Sequence, residues 1–328
     1  MIRAAVIGVG SMGKNHARVY AEMEETELVA VADPARAEGV ARIYKARPYA
    51  DYREMLERED LDVVSVAVPT VLHCQVALDV IASGRHVFVE KPLAASLEEG
   101  EAIIQAAERA GVKLGVGHIE RFNPAVLALR ERLDAGDLGR LFQINARRVG
   151  PYPARVEDVG VVFDLATHEL DVMEFLAGSP VVSLYAETQR AVHPVHEDLL
   201  SGVLKFANGA VGVLDINWLT PTKIRQLSLI GERGMFLVNY LTQELFFYEN
   251  DYANSHWERL AVFMGVAEGK MVRLGIRRKE PLRAELEAFV EAVVHGREFM
   301  VSGKEGLRAV FLAQKMVESG LKRQVVQV

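Results

Sequence analysis

The chain has 328 residues, enough for about two domains of ordinary size. Half of its residues are hydrophobic and a quarter are charged, the balance of a packed globule and not of a disordered chain. The 38 Lys and Arg against 45 Asp and Glu leave a formal charge of −7, which discourages general attraction to nucleic-acid backbones or anionic lipid.

Short β-branched runs alternate with helical stretches in the first third. Ile2–Ile7, Leu28–Ala32, Val63–Val68, His86–Val89 and Lys113–Val116 read as strands, apolar throughout as in a parallel sheet buried on both faces. Helices are expected at 12–23, 35–44, 52–59, 71–83 and 97–110, with Ser96 and Glu99 forming a capping box and Gly111 a C-terminal stop. This alternation predicts a doubly wound α/β sheet, a dinucleotide-binding Rossmann domain over residues 1–120.

From residue 121 to 328 the texture is that of an α+β domain with a large, open, mainly antiparallel sheet. One helix, 123–135, precedes strands at 141–149, 181–188, 199–206, 210–218, 225–230, 235–239 and 244–248. Asn208-Gly209 marks a hairpin, and Gly231–Gly234 a second reversal. Helices at 165–176, 282–294 and 304–319 are expected to cover one face of this sheet, and Tyr252–Glu280 is the least regular stretch. A sheet covered on one face leaves an apolar surface for a partner, so a homodimer or homotetramer is expected.

Cys74 is the single cysteine, which removes intrachain disulfides and cysteine zinc clusters and makes a reducing cytoplasm the expected setting. Arg3 with the run Ala4–Gly10 has the outline of a signal peptide, but the glycines at 8, 10 and 13 suit a hydrophobic helix poorly. The most apolar window, Val63–Ile81, is broken by Pro69, His73, Gln75 and Asp79 and falls short of the roughly 18 clean residues of a membrane span. No membrane partner is expected.

The first strand runs into Gly8-Val9-Gly10-Ser11-Met12-Gly13 and then a helix. This GxGxxG spacing allows a tight turn at Gly8, backbone approach to a pyrophosphate at Gly10 and close helix–strand packing at Gly13, while the helix N-terminus around Ser11 and Met12 offers N–H groups to phosphate. Asp33, 20 residues on at the end of the second strand, suits ribose hydroxyls and repels a 2′-phosphate, so NAD is expected ahead of NADP. Arg36, one turn later, is either a partner for a 2′-phosphate or a solvated helix charge.

Three further strings join the glycine motif: Val68-Pro69-Thr70-Val71-Leu72-His73, Glu90-Lys91-Pro92, and Asp164-Leu165-Ala166-Thr167-His168-Glu169-Leu170-Asp171. Together, and in this order over nearly the whole chain, they resemble the Gfo/Idh/MocA family of NAD(P)-dependent oxidoreductases, with Ala166 where many members have glycine. The resemblance implies a nicotinamide held between a Rossmann domain and an open-sheet domain. It places Pro69, Thr70 and His73 near the cofactor, and Glu90 and Lys91 in the motif that sets a lysine beside the nicotinamide. His168 becomes the candidate base for a substrate hydroxyl, since histidine titrates near neutrality, and Asp164, four residues earlier on one helix face, its partner on the same hydroxyl. Lys91 adds positive charge where an alkoxide develops. Without the flanking motifs, Asp164 and His168 read as an N-cap and a core histidine, Lys91 as a loop end and His73 as a surface residue. Asp171 is divided between substrate contact and surface charge. His193-Pro194-Val195-His196-Glu197-Asp198 reads as a polar loop, because Pro194 breaks helical spacing and no third metal ligand is fixed nearby.

Gly117-His118-Ile119-Glu120-Arg121-Phe122-Asn123-Pro124 follows the strand ending at Val116, where a parallel sheet binds ligands. It looks like the corresponding string of family members that act on UDP-N-acetylated sugars, the UDP-N-acetylglucosamine 3-dehydrogenases in particular. On that reading Arg121 and Asn123 donate to substrate; the alternative is that Arg121 forms a structural pair at an interdomain corner. Oxidation at C3 of a UDP-N-acetylhexosamine is expected first, inositol or free-sugar oxidation second, and a non-catalytic dinucleotide-binding regulator third.

Overall fold

The computed structural model describes residues 1–153, 159–250 and 269–328. The chain forms two compact units, Met1–Phe122 with Glu280–Phe311, and Asn123–Lys279 with Leu312–Val328. The expected division into two consecutive pieces at residue 120 therefore needs correction: residues 280–311 return to the first unit.

In the first unit six parallel strands, β1 (Ile2–Ile7), β2 (Thr26–Ala32), β3 (Arg47–Tyr49), β4 (Val63–Val66), β5 (His86–Glu90) and β6 (Leu114–Gly117), lie in the order β3-β2-β1-β4-β5-β6. The order reverses between β1 and β4, which opens a crevice at their carboxyl ends. The apolar runs are explained by burial on both faces, with Ala4–Ile7 and Val63–Val66 all buried. Strand β3 was not expected. It is three residues long, contains Pro48 and sits at the sheet edge, where a missing N–H is tolerated and no alternation is long enough to read.

Helices α1 (Gly13–Glu22), α2 (Ala37–Tyr44), α3 (Tyr52–Arg58), α4 (His73–Ala82) and α5 (Leu97–Ala110) connect these strands. Ser96 Oγ accepts from Glu99 N at 3.2 Å, and Gly111 closes α5 in the left-handed region at φ 67°. Three helices further the chain comes back: α8 (Pro281–Val294), after α6 (Pro124–Asp134) and α7 (Thr167–Ala177) of the second unit, buries Leu282, Leu286, Phe289 and Val290 in the Rossmann core. It does not cover the second sheet as expected. Phe289 meets Phe88 and Phe299 edge-on at 5.3 Å each, over Gly115 of β6, where an added Cβ would come within 2.8 Å of the Phe289 ring. Proximity in sequence to the second domain gave no sign of that recess.

The second unit is a nine-stranded sheet. Its strands are β7 (Leu141–Pro151), β8 (Val181–Gln189), β9 (Leu199–Phe206), β10 (Val211–Asn217), β11 (Leu219–Gly231), β12 (Gly234–Asn239), β13 (Glu244–Glu249), β14 (Met271–Leu274) and β15 (Val326–Gln327). The order is β14-β13-β12-β11-β7-β10-β9-β8-β15, with β7 and β10 parallel and the other neighbours antiparallel. Leu200, Gly202, Leu204 and Phe206 are buried on one face of β9, while Ser201, Val203 and Lys205 turn outward. Met173 of α7 (Thr167–Ala177) fits over Gly212, and Met316 of α9 (Gly303–Lys322) over Gly202. Asn208-Gly209 makes the β9–β10 turn, with Gly209 at φ 90°. Of the stretch read as least regular, 252–268 lies outside the described residues; the short edge strand β14 emerges from the rest. Among the described residues no helix is long and apolar enough to cross a membrane.

Truncating Phe289 to alanine should lower the denaturation free energy by about 3–5 kcal/mol, the usual loss for a core aromatic. A chemical denaturation curve checks this, and an effect under about 1 kcal/mol would remove α8 from the first core.

Candidate functional site

The dinucleotide loop of the first unit is built by two contacts that leave no room for side chains. Gly8 has φ +83°, and a Cβ there would lie 2.8 Å from the carbonyl of Ala67; a Cβ on Gly13 would lie 1.8 Å from the Gly8 carbonyl oxygen. Gly10 faces open space, with nothing within 4 Å of its missing Cβ, so a ligand can approach its backbone. Met12 stands at the N-cap of α1 and supplies no side-chain acceptor; the amides of Lys14, Asn15 and His16 already donate to the carbonyls of Gly10 and Met12, so those of residues 11–13 are the ones that face a phosphate. The loop therefore fits a pyrophosphate.

Asp33, just past β2, is more engaged than its spacing implies. Its Oδ2 accepts from Val9 N at 3.1 Å, and its Oδ1 from Ala35 N and Arg36 N at 2.9 Å each. Three of about four acceptor directions of the carboxylate are used by backbone, so one remains for a ribose hydroxyl. Arg36 is largely exposed and reaches Asp33 at 4.0 Å, on the ribose side of the loop.

At the ends of β4 and β5 the expected residues divide. Pro69 and Thr70 begin a single 3₁₀ turn, Thr70–Leu72, with Pro69 exposed and Thr70 half-buried. His73 is buried, with Nδ1 2.8 Å from the Pro92 carbonyl and Nε2 2.9 Å from that of Val68. Burial lowers its pKa, although both carbonyls favour the protonated ring. The reading of His73 as a surface residue is corrected by its burial: it ties the loop after β4 to the loop after β5. Glu90 also turns inward, accepting from His16 Nε2 at 2.7 Å and from Lys91 N at 3.2 Å. Lys91 is half-buried at the head of the same loop.

His16 was missed by the sequence reading. It stands on the stripe Gly13, His16, Ala17, Tyr20 that α1 buries, and a histidine in a core stripe calls for a partner.

Arg121 and Asn123, expected as substrate donors, are spent inside the fold. Arg121 is buried and reaches Glu305 at 2.5 Å and the Met300 carbonyl at 3.3 Å. Burial of Glu305 is outweighed by that guanidinium, so its carboxyl is held below the usual range. Asn123 caps α6 (Pro124–Asp134) by accepting from Ala125 N at 3.1 Å, and donates to the Tyr240 carbonyl at 3.1 Å. The structural-pair reading of Arg121 is the one the geometry supports.

In the second unit Asp164 belongs to a π-helical turn, Val162–Ala166, which leads directly into α7 with His168 in its first turn. Such turns are frequent at functional sites. Both side chains are half-buried while Leu165, Ala166, Thr167, Glu169 and Leu170 around them are buried, so the pair occupies the open side of the segment. On the opposite side Glu169 is fully buried, paired with Arg148 of β7 and accepting from Tyr240 Oη at 3.0 Å. Asp171 is buried as well, which excludes the solvated-charge reading.

The loop 193–198 holds this segment from its N-terminal end. Glu197 accepts from Val161 N through its carbonyl at 2.9 Å and from Val162 N through Oε1 at 3.3 Å, with its carboxylate over Gly160. Asp198 closes the loop by accepting from the amides of Ala191, Val192 and His193, and His193 Nδ1 accepts from Val195 N and His196 N. Burial raises the Asp198 carboxyl pKa, but these amides hold it below the ordinary range.

A Rossmann crevice with a glycine loop shaped for a pyrophosphate defines the class, a dinucleotide-binding protein. The chain belongs to the Gfo/Idh/MocA oxidoreductase family: the family's NAD-binding Rossmann description matches residues 2–118 and its C-terminal domain residues 126–237. The UDP-N-acetylglucosamine 3-dehydrogenase of Acidithiobacillus ferrooxidans is 28% identical over 98% of this chain and 99% of its own. A solved structure of that enzyme superposes with a TM-score of 0.86 over 97% of both chains. The scyllo-inositol 2-dehydrogenase (NAD(+)) of Bacillus subtilis is 30% identical over 74% of this chain and 75% of its own. Levoglucosan dehydrogenase in complex with NADH, 23% identical, shares the fold with a TM-score of 0.86 over 100% of this chain and 99% of its own.

The Asp198 interactions carry a pH signature. A carboxyl with a depressed folded pKa contributes stability that is complete above its unfolded value and lost as pH falls through the folded one. Asp198→Asn should lower stability at neutral pH and flatten the loss below about pH 4, as read by thermal melts across pH; a parallel acid profile in the two proteins would contradict it.

Proposed function

We propose that this chain oxidises a secondary hydroxyl of a UDP-N-acetylated hexosamine, at C3, with NAD. The observation that carries the reading is the end-to-end similarity to the Acidithiobacillus ferrooxidans enzyme, across 98% of this chain and 99% of the other. In this reading His168 takes the hydroxyl proton, Asp164 contacts the same hydroxyl or supports the imidazolium, and Lys91 stabilises the oxygen as negative charge develops. NAD, when bound, supplies the hydride acceptor. Asp33 and the glycine loop hold its adenosine and pyrophosphate, with Asp33 setting the preference over NADP. Arg121 and Asn123 make internal contacts to Glu305, the Met300 carbonyl and the Tyr240 carbonyl, so in this reading the diphosphate is held largely by other residues.

Uridine and diphosphate lie remote from the reacting carbon and contribute binding energy that positions it. Free N-acetylglucosamine should therefore lose turnover as well as affinity. Pairing through the outward face of the second sheet, which includes the exposed Val203, is the reading for a homodimer or homotetramer. A cytoplasmic setting accords with the single cysteine.

The deciding experiment follows NADH formation with UDP-N-acetylglucosamine, N-acetylglucosamine, myo-inositol and scyllo-inositol at equal concentration. The nucleotide sugar should be oxidised fastest; equal or faster turnover of an inositol would move the assignment to that class, for which the Bacillus subtilis relative is the precedent. Lys91→Ala and His168→Ala should each lower kcat by about a hundredfold or more with NAD affinity retained. Near-wild-type turnover in either would remove its role.

A further inference from the structure

Beneath the end of β5 runs a chain of buried polar groups that belongs to no strand or helix ladder. Tyr20 Oη lies 2.9 Å from Ser65 Oγ, Ser65 Oγ 3.2 Å from His16 Nδ1, and His16 Nε2 2.7 Å from Glu90 Oε1. Lys91 N then donates to Glu90 Oε2 at 3.2 Å. Tyr20, Ser65 and His16 have no exposed surface, and Glu90 is 8% exposed. One arrangement of protons satisfies every atom of the chain: Tyr20 donates to Ser65, Ser65 to the bare Nδ1 of a neutral His16, and His16 Nε2–H to an ionised Glu90. Burial raises the Tyr20 phenol pKa, which keeps that group a donor.

Glu90 would be costly to bury as an anion without these donors. The groups facing it are His16 from α1, His73 from α4 and Lys91 beside it; β6 brings only the backbone of Gly117, where a Cβ would lie 3.0 Å from Glu90 Oε2. Burial raises the Glu90 pKa, but the hydrogen bond from His16 and the neighbouring Lys91 charge outweigh it, so the carboxyl is held below its usual range. Strand order supplies the consequence. The glycine loop and Asp33 sit on the β1–β2 side of the switch point, so a dinucleotide bound there extends its second nucleotide over the ends of β4 and β5.

We propose that Glu90, held as a carboxylate by the buried Tyr20–Ser65–His16 chain, makes the first unit bind the oxidised cofactor in preference to the reduced one. The nicotinamide ring is cationic in NAD and neutral in NADH, so a fixed negative charge under that end of the crevice stabilises only the former. His16 acts through Glu90 and is a positioning residue. The same bias favours occupancy of the crevice by NAD and release of NADH. It rests on the dinucleotide-binding fold and is independent of which sugar is oxidised.

The test is calorimetric titration of NAD, NADH and ADP-ribose, without any sugar, on the full chain. Glu90→Gln and His16→Asn should each raise the ratio Kd(NAD)/Kd(NADH) by about fivefold or more, the effect of one removed charge at moderate effective dielectric. ADP-ribose, which lacks the nicotinamide, should bind these variants within about twofold of wild type, since the glycine loop and Asp33 are untouched. His16→Gln, whose amide N–H can replace Nε2–H toward Glu90, should keep the wild-type ratio. An unchanged ratio in Glu90→Gln overturns the proposal, and so does a loss of ADP-ribose binding that parallels the loss of both dinucleotides, which would make the chain a packing feature alone. Neither result bears on the sugar, so the substrate reading stands or falls separately.

Discussion

The first unit depends on one close approach, that of α1 to the loop at Gly13. With only 1.8 Å between a hypothetical Cβ and the Gly8 carbonyl oxygen, no other residue lets the helix settle so near β1. That approach sets everything downstream on the helix. It aims the uncapped first turn at the crevice, and it drops His16 and Tyr20, one and two turns further, onto Ser65 of β4 and Glu90 of β5. Asp33 then fastens the loop from the other side through Val9 N. A single steric constraint thus connects the phosphate-binding end of the fold to the charge beneath Lys91.

The second unit solves a comparable positioning task differently. The segment bearing Asp164 and His168 presents both side chains on its open side because its other side is fixed by the buried Arg148–Glu169 pair and Tyr240. Removing one partner of such a pair typically costs about 3–5 kcal/mol, because the remaining charge is stranded. For the base role proposed for His168 such rigidity has a chemical purpose, since a base displaced by an ångström loses much of its effect. Glu197 adds a second restraint at the amides of Val161 and Val162. The stretch 193–198, a polar loop in sequence, is in structural terms a brace.

How much of this was legible follows from the range of each signal. The glycine loop, the strand–helix alternation and the Asn208-Gly209 hairpin are local, and a window of a few residues contains their cause. Strands β3, β14 and β15 are two to four residues long and sit at sheet edges; their existence is decided by a neighbouring strand and not by their own pattern. The placement of α8 was illegible for a related reason, because the recess that receives Phe289 is created by Gly115, far away in sequence. Arg121 and Asn123 show the same limit at the site. Residue type and position after a strand suggested donors to a ligand, whereas Glu305 and Tyr240, whose proximity only the fold reveals, claim them first.

Inward-facing polar residues also change what the motifs mean. Glu90, His73 and Asp33 each stand in a string that suggests ligand contact, yet each directs most of its hydrogen bonds to the protein: Glu90 to His16 and Lys91 N, His73 to two carbonyl oxygens, Asp33 to three amides. Asp33 and His73 join strand-end loops that no regular ladder connects, and Glu90 joins the end of β5 to α1. A crevice at the carboxyl ends of parallel strands is made of such loops, and backbone amides there would otherwise be held only by water. Side chains that fix the loops before a cofactor arrives reduce the ordering cost of binding. In this chain those three residues of the cofactor motifs therefore act first on the shape and charge of the crevice.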